Sequence, residues 1–362
     1  MAPSLSAKAI AQLRTQINAA ITGASPLFPG VILHVNEMIR HDTNSLFTHA
    51  SGNSSLPSNQ LSASTLTTVH SLTKIVGAIA FLQLVDRGAA SLDDPSLVDT
   101  HLPELAVKKI LTGSTPSPDG TADYAPHAHE PHLRRRHTYF NALLLDYLKD
   151  DWAARNEASN PYQTLLDSPL LWQPGTHTNY GQGFDWLAVL IERLTKQFLA
   201  TYLQENIFNP LHLSNIGYEE QFGGDMTSRS TNQGNFWPRS LKGSDGEFIA
   251  IDPPVLQQVD RAMPFPASAY HTHPLGTGII ASAADLARLF AILLPQNGGV
   301  DPTTGHRLLS PDSVREITSA QLPPRLRNTS CNVPSAIPTV LPANLQCPTQ
   351  DPEGSFGLGC GV

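Results

Sequence analysis

Ser71-Leu72-Thr73-Lys74 runs directly into Ile75-Val76-Gly77-Ala78-Ile79-Ala80-Phe81-Leu82-Gln83-Leu84-Val85. The second part is apolar on nearly every face of a helix, and such a helix is buried in the middle of a domain. Gly88 supplies the stop, and Leu92-Asp93-Asp94-Pro95 opens a new segment. Ser71 and Lys74 stand three apart at the head of the helix, so their side chains share a face. A serine hydroxyl is a poor nucleophile until a base takes its proton. A lysine serves as that base when burial disfavours the ammonium form. The helix N-terminus adds partial positive charge and free N–H groups for a developing oxyanion. The same spacing also suits a serine at a helix start with a solvated lysine one turn on. The apolar surroundings of Lys74 favour the chemical reading.

A second segment carries related chemistry: Trp172-Gln173-Pro174-Gly175-Thr176-His177-Thr178-Asn179-Tyr180-Gly181-Gln182-Gly183-Phe184-Asp185-Trp186. Pro-Gly makes a turn, and Tyr180 falls just ahead of a helix predicted over Phe184–Thr195. A phenol near a lysine ammonium ionises more easily and can relay protons. Tyr180 also reads as an ordinary cap or core tyrosine.

Outward from these segments the chain mixes helix and strand. Ile10, Leu13, Ile17 and Ile21 recur at helical spacing before Gly23, marking an amphipathic surface helix. Val31, Leu33 and Val35 alternate after Pro29-Gly30, as in a half-buried strand. Leu46-Phe47 and the turn Ser51-Gly52-Asn53 predict a second strand and hairpin. Residues 115–137, broken by four prolines, read as loop. Helices are predicted from Tyr139 to about Trp152, over Ala200–Ile207, and over Ala283–Leu294 after Ser282, with Asp285 in its first turn. Residues 218–272 and the Pro-rich 321–352 look irregular.

Composition narrows the function classes. A net charge of −8 over 362 residues argues against a dedicated nucleic-acid binder, which needs basic surface. Hydrophobic residues make up 40% of the chain, enough for a buried core. No apolar run approaches the roughly 18–20 residues that span a bilayer, so no membrane partner is expected. The first residues lack a charged region followed by an apolar core; Cys331 and Cys347 are able to pair, but without a secretory signal the default for Cys331, Cys347 and Cys360 is free thiols. The expected location is therefore cytoplasmic. His127, His129, Glu130, His132 and His137 surround Arg134-Arg135-Arg136 in a Pro-broken stretch. They read as a solvated loop and not as ligands held on defined elements; no metal or organic cofactor is expected.

Taken together, the segments resemble a known family. Ser71-x-x-Lys74, then R-G-x-x-x-L-D-D-P from Arg87 to Pro95, then P-G-T-x-x-x-Y-G-x-G-x-D-W from Pro174 to Trp186 look like the serine β-lactamase-related family. That family holds class C β-lactamases, DD-peptidases, family VIII esterases and fungal transesterases. The Y-G-x-G-x-D-W form looks most like the fungal branch, with its statin side-chain acyltransferase. Similarity continues through Leu203–Leu211, Gly276–Leu286 and Arg307–Pro311.

The resemblance implies an α/β (α+β) fold, with an antiparallel sheet flanked by helices and a mostly helical insert. Residues 1–92 and 273–362 would form the α/β domain and 93–272 the insert. It implies Ser71 as acylated nucleophile, Lys74 as its base and Tyr180 as proton relay. Gln182, where many relatives have Asn, and Trp172 are assigned to substrate binding. The implied reaction is acyl transfer from a small-molecule ester or thioester donor to an alcohol or water acceptor. Relatives also carry a third motif of the K-T-G, H-x-G or S-W-G-G kind on a late strand. Here the sequence ends at Phe356-Gly357-Leu358-Gly359-Cys360-Gly361-Val362, which resembles the segment just upstream of that motif. The last strands are thus expected to be truncated. Where relatives have L-R-H-L-L-T-H-T-S-G-L, this chain has Pro131-His132-Leu133-Arg134-Arg135-Arg136-His137-Thr138. These departures keep a second reading open: an impaired, β-lactamase-like pseudoenzyme or truncated product that only binds ligand.

Overall fold

A computed structural model describes residues 5–22, 26–39, 42–52, 61–116, 122–127, 161–172, 175–176, 181–222, 236–237, 240–250, 273–326 and 357–358. Helix α1 (Ala7–Ile21) precedes strands β1 (Gly30–Ile39), β2 (Asp42–Gly52) and β3 (Leu66–Thr68), the 3-10 turn His70–Leu72 and helix α2 (Thr73–Asp86). Short helices α3 (Ser96–His101) and α4 (Pro103–Ala106) lead to strands β4 (Ile110–Pro116) and β5 (Ala122–His127). Next come α5 (Pro161–Asp167), α6 (Gly183–Thr195) and α7 (Leu199–Leu203), the last continuing as a π turn over Gln204–Phe208. Strands β6 (Ile216–Gly217), β7 (Ser240–Lys242), β8 (Phe248–Ala250) and β9 (Ile280–Ser282) and helices α8 (Ala283–Ala291) and α9 (Pro311–Thr318) follow. Among the described residues, no helix is long and apolar enough to cross a membrane.

The chain divides into two compact units. One holds residues 1–70, 200–257 and 278–314, the other 71–199, 258–277 and 315–362. In the first, β9 is the middle strand of an antiparallel sheet ordered β3-β9-β6. Thr68 faces Ile280, and Ile216 faces Ala281. Leu66, Ile280 and Phe222 form a buried cluster there, with Phe236 against it. Helix α8 starts where expected: the Ser282 hydroxyl accepts from the Asp285 N–H at 3.1 Å, an N-cap. The Asp285 carboxylate in turn accepts from the Asn215 N–H at 2.7 Å, fastening the helix start beside β6.

Strands β1 and β2 pair antiparallel, with a register shift at Val35/Asn36. That bulge leaves Val35 exposed, so the simple alternation read from Val31, Leu33 and Val35 is interrupted there. Ser51 and Gly52 are the last residues of β2, not a turn, because the chain reverses between Ile39 and Asp42. Helix α1 follows its predicted pattern, with Ile21 buried, Ile10, Leu13 and Ile17 half-buried, and Ser6 capping the Ala9 N–H.

The second unit is built around α2. Ile75, Val76, Ala78, Ile79, Ala80, Leu82 and Leu84 are all buried, as an all-apolar helix requires. The helix ends in a Schellman turn: Gly88 takes φ +69°, its N–H donates to Val85 O, and the Ala89 N–H donates to Leu84 O. A core of Val98, Leu102, Leu105, Leu165, Leu170, Trp186, Val189 and Leu190 joins α3, α4, α5 and α6. Residues 115–137 are not all loop. β4 and β5 pair from Ile110–His127 to Pro116–Ala122, with a register shift between Leu111 and Ser114. The shift and the proline in β5 mask the period of two that marks a strand. The predicted helix from Tyr139 to Trp152, the residues His129 to His137, the three cysteines and residues 327–352 lie outside the described residues.

Candidate active site

Ser71 lies in the 3-10 turn His70–Leu72, immediately ahead of the first residue of α2. The preceding residue, His70, has φ +45°, in the left-handed region. A non-glycine residue there is strained by roughly 1–3 kcal/mol, and such strain clusters at functional sites. It turns the chain abruptly from extended backbone into the helix and leaves Ser71 exposed.

Lys74, one turn on, directs Nζ to within 3.2 Å of Ser71 Oγ. The same Nζ donates to the Gly276 carbonyl at 2.7 Å. The surroundings are less enclosing than the sequence suggested. Ile75 to Ala80 are buried, but Lys74 itself is half-buried and held by a backbone carbonyl. The Gly276 N–H donates at 2.8 Å to Oδ1 of Asp185, a buried carboxylate in the first turn of α6. Leu275, fully buried, lies against Gly77 of α2. All these groups belong to the second unit.

Of the residues singled out from sequence, Ser71 and Lys74 are brought into hydrogen-bond range of each other. Gln182 stands at the start of α6, only 4% exposed, and its Oε1 finds no hydrogen-bond donor among the described residues. Trp172 is half-buried, next to buried Leu171. Tyr180 lies outside the described residues. Asp185, Gly276 and Gly77 carried no role in the sequence reading, although each sits inside a quoted segment. A glycine in mid-helix was the available signal, since it costs about 0.5–1 kcal/mol relative to alanine unless close packing requires it.

This chain belongs to the beta-lactamase family, whose model matches residues 23–334. It is 32% identical over 167 residues to a lovastatin esterase of Penicillium rubens, covering 44% of this chain and 41% of that protein. It is 28% identical over 264 residues to the monacolin J acid methylbutanoyltransferase of Aspergillus terreus, covering 71% and 57% of the two chains. The chain thus spans about half the length of these curated relatives. The unliganded simvastatin synthase from Aspergillus terreus superposes with a TM-score of 0.68 at 22% identity, covering 99% of this chain and 83% of that one. At that identity the likeness establishes the fold, β-lactamase/transpeptidase-like with antiparallel sheets and helices.

Proposed function

We propose that this chain carries out serine-dependent acyl transfer through an acyl-Ser71 intermediate. It would act as a transesterase, acyltransferase or esterase on a small-molecule ester or thioester. The observation that carries the reading is the Lys74 Nζ within 3.2 Å of Ser71 Oγ. The amine, in its neutral form, accepts the hydroxyl proton as Oγ attacks the acyl carbonyl carbon. A tetrahedral oxyanion forms, then collapses. The bond to the leaving alkoxide or thiolate breaks, and the proton on Lys74 passes to it. Water or an alcohol then loses its proton to Lys74 and attacks the acyl-Ser71 carbonyl. Oγ departs and regains the proton. Tyr180 is assigned to this relay. Gln182 and Trp172 are assigned to substrate binding, and the unsatisfied Gln182 Oε1 supports an acceptor role for that side chain.

The lovastatin esterase and the methylbutanoyltransferase among the relatives support both hydrolysis and transfer, on esters of secondary metabolites. Which acceptor prevails depends on how well the site excludes water. The pairing of β3 with β9 supports an α/β domain drawn from both early and late residues, proposed as 1–92 and 273–362 around the insert 93–272.

Intact mass after incubation with p-nitrophenyl butyrate, beside Ser71→Ala, tests the reading. The expected result is a butyryl adduct on the native chain and none on the variant. Ligand-induced stabilisation of a folded native chain with no adduct and no turnover would overturn it in favour of binding alone. A bulky alcohol added to the same mixture separates transfer from hydrolysis by capturing the acyl group.

A further inference from the structure

Among the described residues, the Lys74 amine meets Ser71 and Gly276 at unequal distances. The contact to Ser71 is 3.2 Å, and that to the Gly276 carbonyl is 2.7 Å, the short end of the hydrogen-bond range. Of these two contacts, the shorter one, to a backbone carbonyl, anchors Nζ more tightly than the one to exposed Ser71. A lysine stem has many rotamers, so its approach to Oγ depends on the placement of Gly276. Gly276 is itself held by its N–H, which donates to Asp185 Oδ1 at 2.8 Å. Asp185 is 7% exposed and sits in the first turn of the 13-residue α6, where a carboxylate is favoured by the helix dipole. A Cβ on Gly276 would stand 3.1 Å from Oδ1 and 3.3 Å from Oδ2, so carboxylate and backbone are in tight contact.

We infer that Asp185 is a positioning residue for Lys74, acting through the backbone of Gly276. Its carboxylate grips the N–H of the residue whose carbonyl anchors the amine. The inference rests on the proposed role of Lys74 as the base for Ser71. What the relay needs at residue 185 is a hydrogen-bond acceptor of the right reach. A negative charge is not required, so asparagine supplies the acceptor and alanine does not.

The test measures acylation by p-nitrophenyl butyrate in the full chain, comparing Asp185→Ala, Asp185→Asn and Gly276→Ala. Misplacement of a reacting group by about 1 Å can cost ~100-fold. Asp185→Ala is expected to lower kcat roughly 10- to 100-fold with KM within about twofold, and Asp185→Asn to stay within about threefold of the native chain. Gly276→Ala sets a Cβ 3.1 Å from Oδ1, so the carboxylate must give by a few tenths of an ångström while remaining in place; it is expected to lower kcat in the same direction, and it carries the test if Asp185→Ala does not fold. A native kcat in Asp185→Ala, or an Asp185→Asn loss as deep as that of alanine, overturns the inference. A native chain that takes no adduct would instead overturn the acyl-transfer reading. The relay is then read from the lysine Cε resonances of 13C-labelled protein, with Lys74 assigned by Lys74→Arg. Asp185→Ala and Gly276→Ala are expected to move the Lys74 resonance and Asp185→Asn to leave it. An unmoved resonance in folded Asp185→Ala or Gly276→Ala overturns the relay independently of activity.

Discussion

Leu275 rests directly on Gly77: a Cβ at residue 77 would stand 2.8 Å from both Cγ and Cδ2 of Leu275, and 3.0 Å from the Phe184 ring. Helix propensity alone favours alanine at such a position by about 0.5–1 kcal/mol. Overpacking a tight core costs about 1–3 kcal/mol and wins here, because Leu275 is fully buried and has little room to retreat. Gly77→Ala is therefore expected to lower the urea midpoint and to slow acylation of Ser71, since Leu275 carries Gly276 with it. The double variant Gly77→Ala/Leu275→Ala should lose less stability than the sum of the two single losses. Simple addition of the two losses would count against this contact.

Arg193 of α6 clasps Glu104 of α4 with both guanidinium arms, each at 2.9 Å. It also donates to the His101 carbonyl at 2.6 Å, and Tyr162 donates to the same carboxylate at 2.8 Å. The Arg193 hydrogen bond is the main reason the Glu104 carboxyl is held down to about 2, with burial opposing it. A carboxyl whose folded value is depressed adds stability above its unfolded value of 4.5, and that stability is lost as pH falls toward 2. Glu104→Gln should be less stable than the native chain at pH 6. The gap in urea midpoint should shrink from pH 4.5 to pH 2.5. The side chains are partly exposed, so added salt should narrow the gap too. A gap independent of pH would rule out the ion pair as its source.

Gly88 at φ +69° closes α2 with space around it: a Cβ there would meet nothing within 4 Å. Any cost of Gly88→Ala is then conformational, about 1–2 kcal/mol for an L-residue in the left-handed region. Gly88→Asn, which tolerates that region better, should lose about half as much in thermal melts. Equal losses would contradict a purely backbone origin.

What the sequence discloses of this architecture varies with the distance along the chain between partners. The buried α2, its glycine stop and the Ser71–Lys74 pair are local, set by residues within a few turns of one another, and the sequence pattern held them. The Ser282 cap with Asp285 was readable for the same reason. The grip of Asp185 on Gly276 joins positions 91 residues apart, and that of Gly276 on Lys74 joins positions 202 apart. No periodicity encodes such pairings. The β4–β5 hairpin reads as loop in the sequence because its register shift and prolines erase the alternation that marks a strand. Family resemblance supplied the chemistry of Ser71 but gave Gly77 no function, since a glycine's role lies in what fills the space it leaves.

Lys108 offers the clearest pH signature. Its Nζ donates to the carbonyls of Leu166 at 2.8 Å and Ser168 at 2.6 Å, around the end of α5, and lies 5.8 Å from the Trp186 ring centre. Burial pushes its value down to about 8 from 10.5, with Asp167 pulling weakly the other way. Between those two values the unfolded chain holds more protons at this site than the folded chain does, so this group makes stability rise with pH. At about 1.4 kcal/mol per pKa unit the full rise is of order 3 kcal/mol. Lys108→Met removes the titration and strands two carbonyls. The native chain should therefore gain stability relative to Lys108→Met as urea melts are moved from pH 7.5 to pH 10. A constant difference across that range would mean that Lys108 keeps its proton in the fold as readily as in water, and that its two carbonyl bonds offset the burial.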